Sequence, residues 1–287
     1  MKCLIFFLLM PFCVLSQTTG QTRSEDFYVE EFTIHEGETV TWTAAKVPGP
    51  NNVIIEEAGV LTVESDVYFN PGSKLIVERG GKLVVDEGGR LTSNCGDPWQ
   101  GIELWGTSNQ PQNLTHQGLV KVINGGIIEN ALYGIRTIKV VQDETDGEYL
   151  DYHYTGGIVQ AVDAGFINNR NAVVFYDYAL TSSSGFTGCD FITDNNYPGT
   201  SNPDYFVRLN SMRGISFVNC SFLNNSSTAL NGSGIYAFNS GFTVRGKCTT
   251  QEEPCPEGDW DYGEFVDLKR GIYATSGGTV YYPEIHH

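Results

Sequence analysis

Basic side chains are scarce in this chain. Its 287 residues contain 17 Lys and Arg against 34 Asp and Glu, which gives a formal net charge of -17 at pH 7. Contacts to phosphate groups need clustered lysine and arginine, and the sequence has no such cluster. Nucleic acid is therefore not an expected partner.

Long apolar runs are missing after the first 16 residues. No later segment approaches the roughly 18 apolar residues that span a bilayer, so we expect no transmembrane segment once the leader is removed. Residues 1–16 have the features of a signal peptide, with a positive Lys2, an apolar stretch and small residues before Gln17. We therefore expect a protein that is secreted or held at the cell surface.

Metal-binding patterns of cysteine and histidine are also absent. Neither a C-x-x-C pair nor an H-E-x-x-H spacing occurs, so zinc has little support. Export permits disulfides, and Cys248 and Cys255, on either side of the hydrophilic segment TTQEEP, are the pair that we expect to be bridged. The alternative is two free thiols on a loop.

Glycine, tyrosine and phenylalanine are abundant, with 33, 15 and 16 residues, which favours β structure with many turns. Residues 57–92 repeat a glycine turn followed by a short apolar strand: EAGVLTVES, NPGSKLIVE, RGGKLVVDE, GGRLTS. Within them, Leu75, Leu83 and Leu91 recur every eight residues. Eight residues cannot hold a helix and a strand together, so this period predicts a three-faced coil of very short strands.

A second repeat extends through the rest of the chain. The segments GGIIENA, AGFINNR, CDFITDN and CSFLNNS superpose without gaps, so that Phe166, Phe191 and Phe222 share one position. Ile127 takes that position in the first copy, and Phe242 takes it in the partial copy SGFTV. Strands that begin with Gly-Ile also recur, in YGIR, RGIS, SGIY and RGIY. Irregular spacing between the copies predicts loops inserted into the turns of a solenoid.

Stacked rungs of this solenoid bring equivalent side chains together. We expect an internal stack of Phe166, Phe191 and Phe222. Cys189 and Cys220 are also equivalent, which predicts either a ladder of buried thiols or a disulfide between rungs. A β-sandwich is the competing fold, but sandwich strands have no reason to resemble one another.

The rungs resemble the right-handed parallel β-helix repeats of pectin-lyase-like proteins. The segment CGDPWQGIELWGTSNQPQ at 95–112 is similar to a motif of exported surface β-helix proteins of the Bacteroidetes. The resemblance covers about 55–285 and implies an all-β, right-handed parallel β-helix over 51–287, with 17–50 as a lead-in and cap. Members of that group often carry a C-terminal sorting domain. This chain ends in YYPEIHH instead, so we expect either a coil that continues beyond the chain end or another export route.

The acidic segment DETDGEYLDYH contains the candidate metal ligands Asp143, Asp146 and Glu148. Polysaccharide-cleaving β-helices use carboxylates for catalysis or to hold calcium. Only Asp146-Gly147 matches a calcium-loop pattern, and a solvated acidic loop is the alternative. Calcium is thus the only cofactor that the sequence suggests.

Aromatic residues are the candidate ligand-binding groups. Trp99 and Trp105 lie six residues apart and share a strand face only if Gly101 does not shift the register. On the surface they would stack on sugar rings, and inside they would pack between rungs. The predicted insertions supply the remaining candidates: Tyr149, Tyr152, Tyr154, Tyr197 and Tyr205.

Two functions remain open at this point. The first is a non-catalytic exported surface protein whose rigid β-helix is an adhesive, glycan-binding or structural stalk module. The alternative is a polysaccharide lyase or glycoside hydrolase, although the sequence lacks the NTD, GHG and RIK motifs of polygalacturonases. In both cases we expect the partner to be an extracellular polysaccharide or a cell-surface molecule.

Overall fold

The computed structural model describes residues 28–29, 32–48, 52–94, 96–143, 147–227, 232–250, 252–277 and 283–285. The chain is a right-handed parallel β-helix with three long parallel sheets as its faces. Successive strands along the chain lie in different sheets, because each turn carries the backbone to the next face. No helix in the described ranges is long and apolar enough to cross a membrane.

Within the described ranges, the three sheets contain nine, nine and seven strands. Sheet A is ordered β2 (Phe32–Ile34), β5 (Val53–Ile55), β8 (Lys74–Val77), β11 (Trp99–Leu104), β14 (Ala131–Arg136), β19 (Asn171–Phe175), β22 (Tyr205–Asn210), β25 (Ser233–Phe238) and β30 (Arg270–Thr275). Sheet B is ordered β3 (Thr39–Trp42), β6 (Val60–Val63), β9 (Lys82–Val85), β12 (Leu119–Ile123), β17 (Ile158–Val162), β20 (Gly185–Thr187), β23 (Arg213–Val218), β26 (Gly241–Arg245) and β31 (Glu284–Ile285). Sheet C is ordered β7 (Asp66–Phe69), β10 (Arg90–Ser93), β13 (Ile127–Glu129), β18 (Gly165–Ile167), β21 (Asp190–Thr193), β24 (Ser221–Asn224) and β29 (Phe265–Val266).

Small elements complete the described fold. β1 (Tyr28–Val29) pairs in parallel with β4 (Val47–Pro48). Two antiparallel hairpins project from the coil, β15 (Lys139–Asp143) with β16 (Gly147–Asp151) and β27 (Lys247–Cys248) with β28 (Trp260–Asp261). Short 3-10 turns span Tyr152–Tyr154 and Glu257–Asp259.

The eight-residue period places one strand on each face. Leu75, Leu83 and Leu91 lie in β8, β9 and β10, one in each long sheet, and all three are 0% exposed. The parallel sheets already include β2 and β3, which pair with β5 and β6. The described residues 32–48 of the expected lead-in therefore contribute strands to the parallel sheets.

A stack of phenylalanine rings fills the interior beside sheet C. Phe166, Phe191 and Phe222 pair in register, with ring centroids 4.9 and 4.6 Å apart, as the repeat predicts. The assignment of Phe242 to this stack is wrong: Phe242 lies in β26 of sheet B, and Phe265 occupies the next position, 4.6 Å from Phe222.

The repeat alignment is also one residue out at its first copy. Phe166 pairs with Ile128, whereas Ile127 pairs with Gly165. Because side chains alternate between the two faces of a strand, that single step turns Ile127 to the outer face and leaves the interior position to Ile128.

The described cysteines fall into two groups. Cys248 and Cys255 form a disulfide that closes the loop between β27 and β28. Cys189 and Cys220 are buried free thiols, and both their mutual hydrogen bond and burial raise the pKa of Cys189. Cys95 lies outside the described residues.

Candidate functional site

The two tryptophans of the 95–112 segment occupy opposite sides of sheet A. The pairing of β11 with β14 shifts register between Gly101 and Ile102. Trp99 is 0% exposed and stacks on Phe69 with ring centroids 4.2 Å apart, whereas Trp105 is half-buried on the outer side. The expectation that Trp99 binds a surface ligand is therefore wrong, because the irregular register turns its ring into the core.

Replacing Gly101 with alanine should lower the free energy of unfolding by about 2 kcal/mol. Gly101 has a φ of +95°, and an added Cβ would overlap the carbonyl oxygen of Tyr133. Gly72→Ala is the matched control, since Gly72 has a similar φ of +87° with no atom within 4 Å of the added Cβ. Chemical denaturation compares the two variants, and equal losses would contradict a steric role for the close approach at Gly101.

Glu103 is a buried anchor directly behind Trp105. The carboxylate is 1% exposed, and Oε1 accepts hydrogen bonds from Lys74 Nζ at 2.6 Å and Arg136 Nη2 at 3.0 Å. Oε2 accepts from the Trp105 indole at 3.2 Å and from the backbone N–H of Val140 at 3.2 Å. With four donors on its two oxygens, Glu103 holds the surrounding groups in place and has no free lone pair directed at a ligand.

The β15–β16 hairpin and the 3-10 turn after it carry three of the predicted tyrosines, and one of them, Tyr154, contacts Trp105. Tyr149 and Tyr152 are 49% and 54% exposed. Tyr154 packs edge-on against Trp105, with ring centroids 5.5 Å apart, and the guanidinium of Arg79 lies 3.8 Å from its ring centre. Tyr154 is thus a support for Trp105, and Tyr149 and Tyr152 remain at the surface.

Lys139 places a positive charge over this aromatic pair. Its Nζ lies 4.3 Å from the ring centre of Trp105 and 4.6 Å from that of Tyr154, which is cation–π geometry. Glu78 follows directly after β8, the strand that pairs with β11. Burial, with a further contribution from the Glu56 carboxylate, raises the pKa of Glu78, and Lys139 opposes that rise.

Of the three predicted calcium ligands, only the Glu148 side chain lies within the described residues. Asp146 and the side chain of Asp143 lie outside the described residues. Glu148 faces Arg136 Nη1 at 3.3 Å and Gln142 Nε2 at 3.4 Å, so a cation would have to compete with a guanidinium for this carboxylate. Among the residues that the structure describes, no group of three metal-binding side chains is found.

The outer face of sheet A carries several aromatic rings, some of which contact one another. Tyr152 packs edge-on against Tyr176 at 6.2 Å between centroids. Tyr236 lies 4.8 Å from Tyr205 on one side and 5.5 Å from Tyr273 on the other. We call this surface the aromatic lane and define it by Trp105, Tyr133, Tyr152, Tyr176, Tyr205, Tyr236 and Tyr273. With strands about 4.8 Å apart, the five steps from β11 to β30 span about 24 Å.

Arginines are interleaved with the rings of the aromatic lane. Arg208 lies 5.9 Å from the ring centre of Tyr205 and 5.7 Å from that of Tyr236, and Arg270 lies 4.2 Å from that of Tyr273. Within the described ranges neither arginine forms an ion pair, whereas Arg136 pairs with Glu103 and Glu148. The lane therefore presents positive charge on a protein that is acidic overall.

Burial also raises the pKa of two tyrosines, Tyr176 and Tyr197. It raises the pKa of Tyr176, with Tyr133 adding to the rise and Arg136 and Arg208 opposing it. Tyr197 lies in a different place, in the loop between β21 and β22. Its hydroxyl donates to the carbonyl of Ser201 at 2.9 Å, and burial raises its pKa to about 12.

The structure brings Trp105, Tyr152 and Tyr205 together in one lane, from three separate parts of the sequence. The sequence reasoning missed Tyr236 and Tyr273. A signal for them was present, because SGIY and RGIY place each tyrosine three residues after equivalent strand starts. β25 and β30 then pair these tyrosines directly. The RGIS segment does not join them, since it forms β23 of sheet B.

No protein-family model, curated protein or solved structure matches this chain.

Proposed function

We propose that this protein is an exported, non-catalytic surface protein whose rigid β-helix binds an extracellular glycan along the aromatic lane. The run of neighbouring rings Tyr205, Tyr236 and Tyr273, with Arg208 and Arg270 beside them, is the observation that carries the proposal. The C–H faces of sugar rings pack on aromatic rings. Arginine supplies hydrogen-bond donors for hydroxyl and carboxylate groups.

A solenoid scaffold suits such a function. Tyr236 and Tyr273 occupy the same position of neighbouring strands, and the ring of Tyr205, which lies three positions earlier in register, is 4.8 Å from that of Tyr236. Stacked rungs thus place successive rings side by side along the outer face, where a polymer can lie across them. Export follows from the signal-peptide features of residues 1–16. The resemblance of the rungs to pectin-lyase-like proteins, and of 95–112 to exported Bacteroidetes surface proteins, supports a cell-surface setting and an adhesive or stalk role.

Combining Arg208→Ala with Tyr236→Ala should weaken polysaccharide binding at least about tenfold, because each removed stacking or charged contact contributes on the order of 1 kcal/mol. Affinity electrophoresis in gels that contain neutral or uronate polysaccharides measures the change. Tyr68→Ala is the matched control, since Tyr68 lies in β7 of sheet C, away from the lane. Retention that is equal for all three proteins would contradict the lane.

Glycan cleavage is the second candidate function, and Glu78 favours it. Glu56, Glu78 and Trp105 follow directly after the paired strand ends of β5, β8 and β11. A general acid in glycoside hydrolysis needs a raised pKa, and burial raises that of Glu78 beside Glu56.

Incubation with neutral and uronate polysaccharides, with and without calcium, separates the two functions. The readouts are polymer chain length and bound protein. Intact chains with retained protein support the non-catalytic proposal. Shortened chains, protected in a Glu78→Gln variant, would establish cleavage at this position in its place.

A further inference from the structure

A cleft lies on another face of the molecule, between the outer side of sheet B and the β27–β28 hairpin. Its volume is about 540 Å³, which is within the range of small-molecule sites. Strands β23, β26 and β31 form its floor, and the hairpin forms one wall. The cleft is lined by Ser216, Thr243, Arg245, Gly246, Trp260, Tyr262 and Glu284. None of these residues belongs to the aromatic lane.

The floor of this cleft is a row of polar side chains. Thr243 pairs with Ser216 on one side and with Glu284 on the other, so the three side chains stand on adjacent strands about 4.8 Å apart. Arg245 lies two residues beyond Thr243 and therefore faces the same way. The floor thus offers two hydroxyls, one cation and one carboxylate at neighbouring positions.

The wall is a pair of aromatic rings. Trp260 and Tyr262 are stacked, with ring centroids 6.2 Å apart and ring planes within 20° of each other. They are 37% and 47% exposed. Accessible aromatic rings beside polar groups suit a sugar ring, which packs its apolar face on an aromatic ring and directs its hydroxyls to polar side chains.

Three contacts hold this wall in place. The Cys248–Cys255 disulfide closes the hairpin, and Cys248 pairs directly with Trp260. Asn219 Nδ2 donates to Asp261 Oδ2 at 2.7 Å and so ties β28 to the coil. Tyr262 packs on the bare backbone of Gly246, where an added Cβ would lie 2.6 Å from its ring.

We infer that this cleft binds a single neutral sugar ring, independently of the aromatic lane. The rings of Trp260 and Tyr262 pack against the apolar face of the sugar. The side chains of Ser216, Thr243 and Glu284 form hydrogen bonds with its hydroxyl groups. The charges of Arg245 and Glu284 balance within the cleft, which favours an uncharged ligand. The arginines of the lane, which form no ion pair with the described residues, have the opposite preference.

The direct test is titration of the purified protein with methyl glycosides of common neutral hexoses and pentoses, and with their disaccharides. Trp42 and Trp99 are 4% and 0% exposed, so a change in tryptophan emission reports mainly on Trp260 and Trp105. Calorimetry provides a second readout that does not depend on tryptophan. Concentrations up to about 10 mM nearly fill a site with a Kd near 1 mM.

We expect Trp260→Ala to weaken sugar binding at least about tenfold and Trp260→Phe to retain most of it. Replacing Cys248 and Cys255 with serine should weaken binding several-fold, since the wall is then free to move. Thr243→Val removes one floor hydroxyl without touching the hairpin and should also weaken binding. Tyr273→Ala, in the lane, should leave the affinity of the cleft unchanged.

The outcomes separate this cleft from the lane. Absence of binding by every sugar, or binding that Trp260→Ala and Thr243→Val leave unchanged, would overturn the cleft inference and leave the lane proposal standing. Loss of polysaccharide retention in the Arg208 and Tyr236 variant, with sugar binding intact, would support both sites. Sugar binding that depends on Tyr273 would assign it to the lane and so overturn the cleft.

Discussion

Replacing Phe191 with alanine should lower the free energy of unfolding by about 3–5 kcal/mol. Phe191 is 0% exposed and lies between Phe166 and Phe222, with ring centroids at 4.9 and 4.6 Å. Phe186 packs edge-on against it at 5.7 Å. The truncation leaves a cavity in the middle of a stack, and neighbouring rungs held by backbone ladders on three faces cannot collapse into it.

Denaturant unfolding followed by circular dichroism measures the loss, and hydrogen exchange locates it. Because each rung of a solenoid contacts only its neighbours, amides of β18, β21 and β24 should lose protection first. Phe191→Leu keeps most of the apolar volume and should cost less than about 2 kcal/mol. Phe238→Ala, at a ring that is 37% exposed, should change stability by less than about 0.5 kcal/mol. A similar loss in Phe191→Ala and Phe238→Ala would refute the structural role of the stack.

Glu103→Ala should destabilise the protein by about 3–5 kcal/mol and disorder the start of the aromatic lane. The substitution leaves the Arg136 and Lys74 side chains, which are 6% and 18% exposed, without their buried carboxylate. It also removes the acceptor of the Trp105 indole and of the Val140 backbone N–H, which anchors the β15–β16 hairpin. Buried cations without a counter-charge are the main cost.

The matched control is Glu148→Gln, which removes the other carboxylate partner of Arg136. The Glu148 side chain is 50% exposed, so the change should cost less than about 1 kcal/mol. A triple variant with Lys74→Met, Glu103→Leu and Arg136→Met should recover much of the stability lost in Glu103→Ala, because no charge then remains buried. Thermal unfolding of the four proteins checks this ranking, and equal effects at Glu103 and Glu148 would show that burial does not set the cost.

The coil could be predicted from local features of the sequence. The eight-residue spacing of Leu75, Leu83 and Leu91 assigns one strand to each face because alternation of apolar residues is a property of a few consecutive residues. The register of Phe166, Phe191 and Phe222 follows from the similarity between copies. Phe242 was misassigned for the same reason, because strands of sheets B and C share the Gly-Phe pattern and only pairing with Ile215 decides its sheet.

The candidate site could be predicted less well from local features of the sequence. Trp99 and Trp105 depend on the register shift at Gly101, which arises from pairing with β14 about 30 residues later. Glu103 was not singled out, because its two cationic partners lie 29 residues before it and 33 residues after it. Nothing local distinguishes that carboxylate from an exposed one.

By itself, the sequence determined that this protein is a coil of short parallel strands with an aromatic interior. Repeat period and apolar alternation are local, and they suffice to specify which side chains face inward. Only the tertiary structure decided which outer side chains become neighbours, such as Tyr236 with Tyr273 in the lane and Thr243 with Glu284 in the cleft. Those neighbours come from strands that are distant along the chain, and the length of each inserted loop sets which residues finally stand side by side.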